Sequence, residues 1–486
     1  MSPEHLDVMI VGAGLSGIGA AVHLQQRCPG HRFAVVEARE ALGGTWDLFR
    51  YPGVRSDSDM HTLGYVFKPW TDPKAIAEGG TILQYLHDTV REHGLAPHIR
   101  CGHKLVGASW SSADARWTLT LRRSADGSEQ QLSCGFLHLC AGYYDTNAGY
   151  QPAFPGRDDF QGRWVHPQHW PQDLDVAGQR VVVIGSGATA VTLLPALAAR
   201  GAHVTLLQRS PTWMVSLPAV DPISTALRRV LPQAAALRLT RWKNMLLARF
   251  IYSLSRRHPQ RLRRLLLAGV RQALGPLATP ERMARDFTPR YEPWDQRLCL
   301  VPDGDFFRAL RQGRAEVVTG QIARITPHGV ALQSGVHLDA DTVVSATGLV
   351  LNMAPVPLVV DGRAVHPADT VSYKGVMFSG VPNLTSTFGY INASWTLKAD
   401  LTARFVCRLL RHLQRSGQRV ALPPDPPPGA PRLPAVALSS GYFERGRHLM
   451  PRQGLHAPWK LNQDFWADWW ALRCRPVDDG VLQFRR

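Results

Sequence analysis

Two stretches of this chain carry glycines at a spacing that lets backbone approach a pyrophosphate. The first is Gly12-Ala-Gly14-Leu-Ser16-Gly17, between the apolar run Asp7–Val11 and an apolar helical pattern through Leu24. Gly12 permits the tight turn, Gly14 the close approach to phosphate, and Gly17 the packing of helix on strand. The helix N-terminus adds free N–H groups aimed at the anion. Phe33–Glu37 reads as the next strand, and Glu37, 25 residues after Gly12, is placed to accept from ribose hydroxyls. The second stretch, Gly185-Ser186-Gly187-Ala188-Thr189-Ala190, repeats this logic as G-x-G-x-x-A. Its following strand, Val204–Gln208, ends in Gln208-Arg209 rather than an acid. An acid repels a 2′-phosphate and an arginine pairs with it bidentately. The first site is therefore expected to hold FAD and the second NADPH. A solvated loop cation is the alternative reading of Arg209. Two such sites in one chain suit hydride transfer from a nicotinamide to a flavin.

Between them lies Phe160-x-Gly162-x-x-x-His166-x-x-x-Trp170-Pro171. A connector in that position must set one nucleotide against the other. The expected fold class is α/β, with two Rossmann-like dinucleotide-binding domains and a helical insertion in the second. Residues 1–147 form the first part of the FAD domain. Residues 148–344 form the NADPH domain, with the insertion at about 216–286, and residues 345–486 return to the FAD domain and add a C-terminal tail. Ile99–Trp110 and Arg116–Arg123 read as strands, and Phe136–Gly142 as a buried strand ending in a glycine. Ser394 is the expected N-cap of a helix whose N-terminus faces the flavin. Ala421–Pro434 is proline-rich and reads as an irregular connector. Trp459–Arg486 has no assigned role.

Composition narrows the function classes. A chain of 486 residues, 45% apolar and 19% charged, is globular and long enough for two or three domains. Seven scattered cysteines form no C-x-x-C pair, which argues against a disulfide framework, a zinc site or a disulfide oxidoreductase, so no metal is expected. That usage fits a reducing cytosol. The first strand begins by about Leu6 with no n-region and h-region before it, so no secretory signal is expected and the localisation read is cytoplasmic. The net charge of +17 is concentrated: between Arg228 and Arg271 stand twelve Lys/Arg and no Asp or Glu. This segment reads as basic amphipathic helices. A solvated lid or subunit face is the favoured reading, with peripheral contact to an anionic membrane kept as the other. Nucleic acid is not an expected partner, because the charge is confined to an insertion and no nucleic-acid module accompanies it.

The motifs together resemble the type I Baeyer–Villiger monooxygenases, within the class B flavoprotein monooxygenases. Phe160-x-Gly162-x-x-x-His166-x-x-x-Trp170-Pro171 is similar to that family's signature. Gly44-x-Trp46-x-x-x-x-Tyr51-Pro52-Gly53-x-x-x-Asp57 and Asp341-x-x-Val344-x-Ala346-Thr347-Gly348 are similar to two further segments. The related N/S-monooxygenases usually carry Tyr or Phe where Trp170 stands, and an N/S-oxygenase without ketone activity is the alternative function. The resemblance implies FAD reduced by NADPH and a C4a-peroxyflavin that oxidises a ketone to an ester or lactone, with sulfoxidation of thioethers as well. It implies O2 and a small apolar ketone or thioether as partners, and leaves the oligomeric state open. It assigns Arg297 as the catalytic arginine, with Arg290 the other candidate, and Asp57 as its carboxylate partner. It also implies that Thr45, Trp46, Asp47, Leu48 and Leu105 border FAD, and that Arg55 and Ser56 lie where NADPH meets the flavin. His166 and Trp170 are expected to orient the domains rather than move protons.

Overall fold

The computed structural model describes residues 4–353, 356–436 and 439–486. The first domain is built on a parallel sheet with strands in the order Ile99–Arg100, Phe33–Val36, His5–Val11, Glu129–Leu139 and Leu384–Ser386. Its central strand is buried on both faces, with Val8, Met9 and Ile10 wholly inaccessible, as a parallel sheet covered by helices requires. The helix Leu15–Arg27 packs there against the long helix Trp395–Ser416. The antiparallel strands His103–Ser111 and Arg116–Arg123 extend the sheet from Glu129–Leu139. The single strand expected over Ile99–Trp110 is in fact two. Ile99–Arg100 runs parallel to Val35–Val36, whereas the chain from His103 pairs antiparallel with Arg116–Arg123. The turn at Cys101-Gly102, with Gly102 at φ +67°, separates the two pairing directions.

The second domain is a five-stranded parallel sheet in the order Ala315–Thr319, His203–Gln208, Arg180–Ile184, Thr342–Ser345 and Arg163–Val165. The aromatic stretch read as a connector thus contributes the edge strand Arg163–Val165, paired with Thr342–Val344. Ser345 still belongs to this sheet, one residue beyond the boundary expected at 344. The chain crosses between the domains at Tyr144–Gly149 and again at Leu349–Leu351, and these two crossings pair antiparallel.

The insertion folds as helices Pro222–Val230, Gln233–Arg257, Pro259–Leu274 and Pro280–Asp286. Asp221 caps the first by accepting from the backbone N–H of Ile223 and Ser224, and proline opens the first, third and fourth, where a missing N–H costs nothing. Ser394 stands at the N-cap position of Trp395–Ser416, but its hydroxyl does not cap that helix. It bonds Thr62 Oγ1 instead, at 2.6 Å. The tail docks on this helix: Asp468, fully buried, pairs with Lys398 Nζ at 2.7 Å, and Gln483–Arg485 adds a strand to Val420–Leu422. Among the described residues no helix is long and apolar enough to cross a membrane.

Candidate active site

The first glycine turn is a cradle in which a side chain has no room. A Cβ on Gly12, at φ +103°, would lie 2.6 Å from the Cys140 carbonyl oxygen, and one on Gly17 would lie 1.8 Å from the Gly12 carbonyl oxygen. Gly14 faces Gly44, so both glycine loops bring bare backbone to one spot. They open into a cavity of about 620 Å³. Glu37 lines it, buried, with its oxygens accepting from the backbone N–H of Ala13 (2.8 Å) and Arg39 (3.1 Å). Backbone donors thus fix its carboxylate while leaving lone pairs for ribose hydroxyls. Thr45, Trp46, Ser56, Asp57 and Leu105 also line the cavity, as does Ser16, whose hydroxyl accepts from Trp395 Nε1 at 2.8 Å. These features fit a dinucleotide: a pyrophosphate needs the bare turn, and a ribose needs the fixed acid.

Asp47 is held by its neighbours. It is buried and both oxygens are engaged by arginines, one by Arg39 and the other by Arg50 at 2.6 Å. Its carboxylate thereby holds the loop in place, and Leu48 closes the same short helix, Thr45–Leu48. Sequence reasoning missed Arg39, Tyr144 and Trp395, all on the cavity wall. Tyr144 bonds Thr45, and Tyr143 stacks on Trp395 with ring centroids 5.2 Å apart. No motif marks these residues; three separate segments bring them together.

At the second glycine turn, Gly185 has φ +137°, and a Cβ would lie 2.4 Å from the Ala346 carbonyl oxygen. Gly187 and Ala188 are exposed, beyond Ser186, at the start of helix Ala188–Ala199. Ala188 and Thr189 line the same cavity as the first turn, so the two sites share one space. Gln208 is buried, and its amide donates to the Asp286 carbonyl (2.8 Å) and Thr319 Oγ1 (2.9 Å), tying its strand to the insertion. Arg209, next to it, is exposed and among the described residues makes no ion pair.

Arg297 and Asp57 meet where two cavities join. Arg297 Nε lies 3.0 Å from Asp57 Oδ2, and the Arg297 side chain is about one-third accessible (36%), on the wall of the cavities. The Asp57 carboxylate raises the arginine's pKa above its ordinary value, so its charge is permanent. Both residues line the smaller cavity and also a second one of about 1340 Å³. The walls of the larger space are mostly apolar, in large part from the insertion through Leu247, Ile251, Leu254, Leu262 and Leu266, with Trp466 from the tail. Arg290, the other candidate, is exposed. Arg55 reaches across to Asp305 of the second domain, and Ser56 is buried, its hydroxyl accepting from Ala77 N at 3.1 Å.

The aromatic signature stands outside both cavities. Phe160 and Trp164 pack on one face of the second sheet and Trp170 on the other. Gly162 is forced by the Asp341 carbonyl, 2.4 Å from where its Cβ would be, and Pro171 starts the turn closed by Leu174 N. His166 is buried, accepts from Gln168 N at 3.2 Å, and lies flat against Gly149 of the first crossing strand. Burial lowers its pKa, which keeps the ring neutral and suits a packing role.

Two family descriptions match the chain: an NAD(P)-binding Rossmann-like domain over residues 10–70 and a flavin-binding monooxygenase-like domain over residues 73–234. The FAD-containing monooxygenase EthA of Mycobacterium tuberculosis is 49% identical over 99% of this chain and 98% of its own length. The probable FAD-binding monooxygenase AlmA of Acinetobacter baylyi is 46% identical over 99% and 96%. Among solved structures, an oxidized steroid monooxygenase bound to NADP superposes with a TM-score of 0.79 over 99% of this chain and 100% of its own, at 23% identity, which speaks to the fold.

Proposed function

The chain belongs to the FAD-containing monooxygenases, and from that premise we propose that it oxidises an apolar ketone to an ester or lactone with FAD, NADPH and O2, and oxidises thioethers as well. Ketone, O2, NADPH and a proton give ester, water and NADP+, so the electrons balance. One observation carries the reading: the Arg297–Asp57 pair, 3.0 Å apart, lines both the dinucleotide cavity and the apolar cavity. Bound reduced flavin supplies the activation of dioxygen. The chain's own residues supply the rest. Arg297 holds a fixed positive charge where negative charge develops on oxygen, in a space that its walls keep from bulk water, and Asp57 aims it. Glu37 holds the ribose of FAD, the Gly12–Gly17 turn its pyrophosphate, and Gly185–Thr189 with Arg209 the phosphates of NADPH. That NADP occupies the steroid monooxygenase of the same fold supports this assignment. In this reading, residues 1–147 and 345–486 hold FAD, residues 148–344 hold NADPH, and His166 and Trp170 set the angle between them.

The test uses the holoenzyme with NADPH under oxygen-18 gas, with an aryl ketone and an aryl thioether as probes. Labelled ester establishes the ketone reaction. Labelled sulfoxide without ester assigns the protein to heteroatom oxygenation instead.

A further inference from the structure

The insertion has a second face that the active site does not use. Helix Gln233–Arg257 buries Ala236, Leu237, Thr240 and Met245 against the protein. On the opposite side Leu239, Trp242, Leu246 and Phe250 are each at least half exposed, and Phe250 is 62% exposed. Their spacing of three, four and four residues makes one continuous stripe along the helix. Such a stripe on a water-facing helix calls for an occupant. Charge says which. Arg229, Arg238, Arg257, Arg261, Arg264 and Arg271 are all exposed, and among the described residues none makes an ion pair. No acid occurs between Arg228 and Arg271 to neutralise them.

We propose that this face docks on an anionic lipid bilayer, the stripe entering the acyl boundary and the arginines meeting lipid phosphates. Aromatic and leucine side chains flanked by arginines, on a helix lying along a surface, match the two layers of such an interface. A second copy of the chain would bring six unpaired arginines against six more. Nucleic acid would satisfy the arginines and leave Leu246 and Phe250 in water. Trp242, in the stripe, stacks on Trp466, which lines the larger cavity, with ring centroids 4.9 Å apart. The docked face therefore adjoins the cavity wall, and an apolar substrate dissolved in the bilayer has a short path inward; that consequence, unlike the docking, rests on the function proposed above.

The experiment is vesicle flotation of the holoenzyme with phosphatidylcholine alone and with phosphatidylcholine mixed with phosphatidylglycerol. It compares the wild type with the double variant Leu246→Ser, Phe250→Ser, and with Arg261→Gln, Arg264→Gln. The wild type should float with the anionic vesicles, and less so as salt rises. Either variant should lower its partitioning about tenfold or more at unchanged FAD content and Tm. Equal partitioning of wild type and variants, or equal binding to phosphatidylcholine alone, overturns the proposal. So does a lipid-free wild-type oligomer that Leu246→Ser, Phe250→Ser converts to monomer, which would give the face to a second copy.

Discussion

At the residue scale the proposed chemistry turns on two arginines with different surroundings. Arg297 is paired with Asp57 on the wall shared by the two cavities, so its charge acts on the space between them. Arg297→Ala should leave reduction of bound flavin by NADPH largely intact and cut oxygenated product by about 100-fold or more, the loss expected when an oxyanion partner is removed. Stopped-flow reduction beside product yield measures both, and retained ester formation would remove Arg297 from the mechanism. Arg209 is exposed at a strand end with its guanidinium uncommitted. Losing a charge-assisted bond to a 2′-phosphate removes about 1.5–3 kcal/mol, so Arg209→Ala should raise the KM for NADPH about 10- to 100-fold. The KM for NADH, which has no such phosphate, should hardly change; equal effects would put the phosphate elsewhere. The close packing of Gly17 was legible because its neighbour, the Gly12 carbonyl, stands only five residues away. The tie that Gln208 makes was not, because its partner Asp286 comes from the insertion, 78 residues on.

At the element scale, strands with strong apolar patterns were readable and short or interrupted ones were not. Arg163–Val165 has three residues and therefore no period to read; only its pairing with Thr342–Val344 makes it a strand. The strand Glu129–Leu139 shows what burial inside such an element does to a titratable group. His138 sits in it, wholly buried, with Nδ1 2.8 Å from Thr385 Oγ1 on the neighbouring strand. Burial lowers its pKa to about 4. In the unfolded chain it titrates near 6.5, so below that pH the unfolded state gains a proton that the native state refuses. Stability is therefore complete above about pH 6.5 and falls as pH drops toward 4, by about 3 kcal/mol for this group. Denaturant midpoints at pH 7 and pH 4.5 should show a smaller loss in His138→Asn than in the wild type. Equal acid sensitivity would mean that His138 is protonated in the native protein.

At the scale of the whole molecule, the two nucleotide sites share one cavity only if the domains keep a fixed angle, and that angle passes through two short crossing strands. Tyr144–Gly149 and Leu349–Leu351 pair with each other, and the His166 ring of the signature lies on Gly149. The sequence reading could place the signature between the sites but not against these strands, because that contact joins segments separated in the chain and depends on a glycine without a side chain. The contact has no slack: a Cβ on Gly149 would fall 1.8 Å from His166 Cε1. Gly149→Ala must therefore move the imidazole or the crossing strand. FAD should still bind, since the Gly12–Gly17 turn and Glu37 are remote from the change, but transfer from NADPH needs ångström-scale placement of one ring on the other. Flavin reduction at saturating NADPH should slow about 10- to 100-fold. Whether the ring clash is the cause can be separated from damage to the strand by repeating the substitution in a His166→Ala background. If the two residues act through their contact, the double variant should reduce flavin no more slowly than His166→Ala alone, a coupling that a double-mutant cycle reads directly. Additive losses would show that Gly149 acts on its own strand, and the domain angle would then have to be held by something other than the signature histidine.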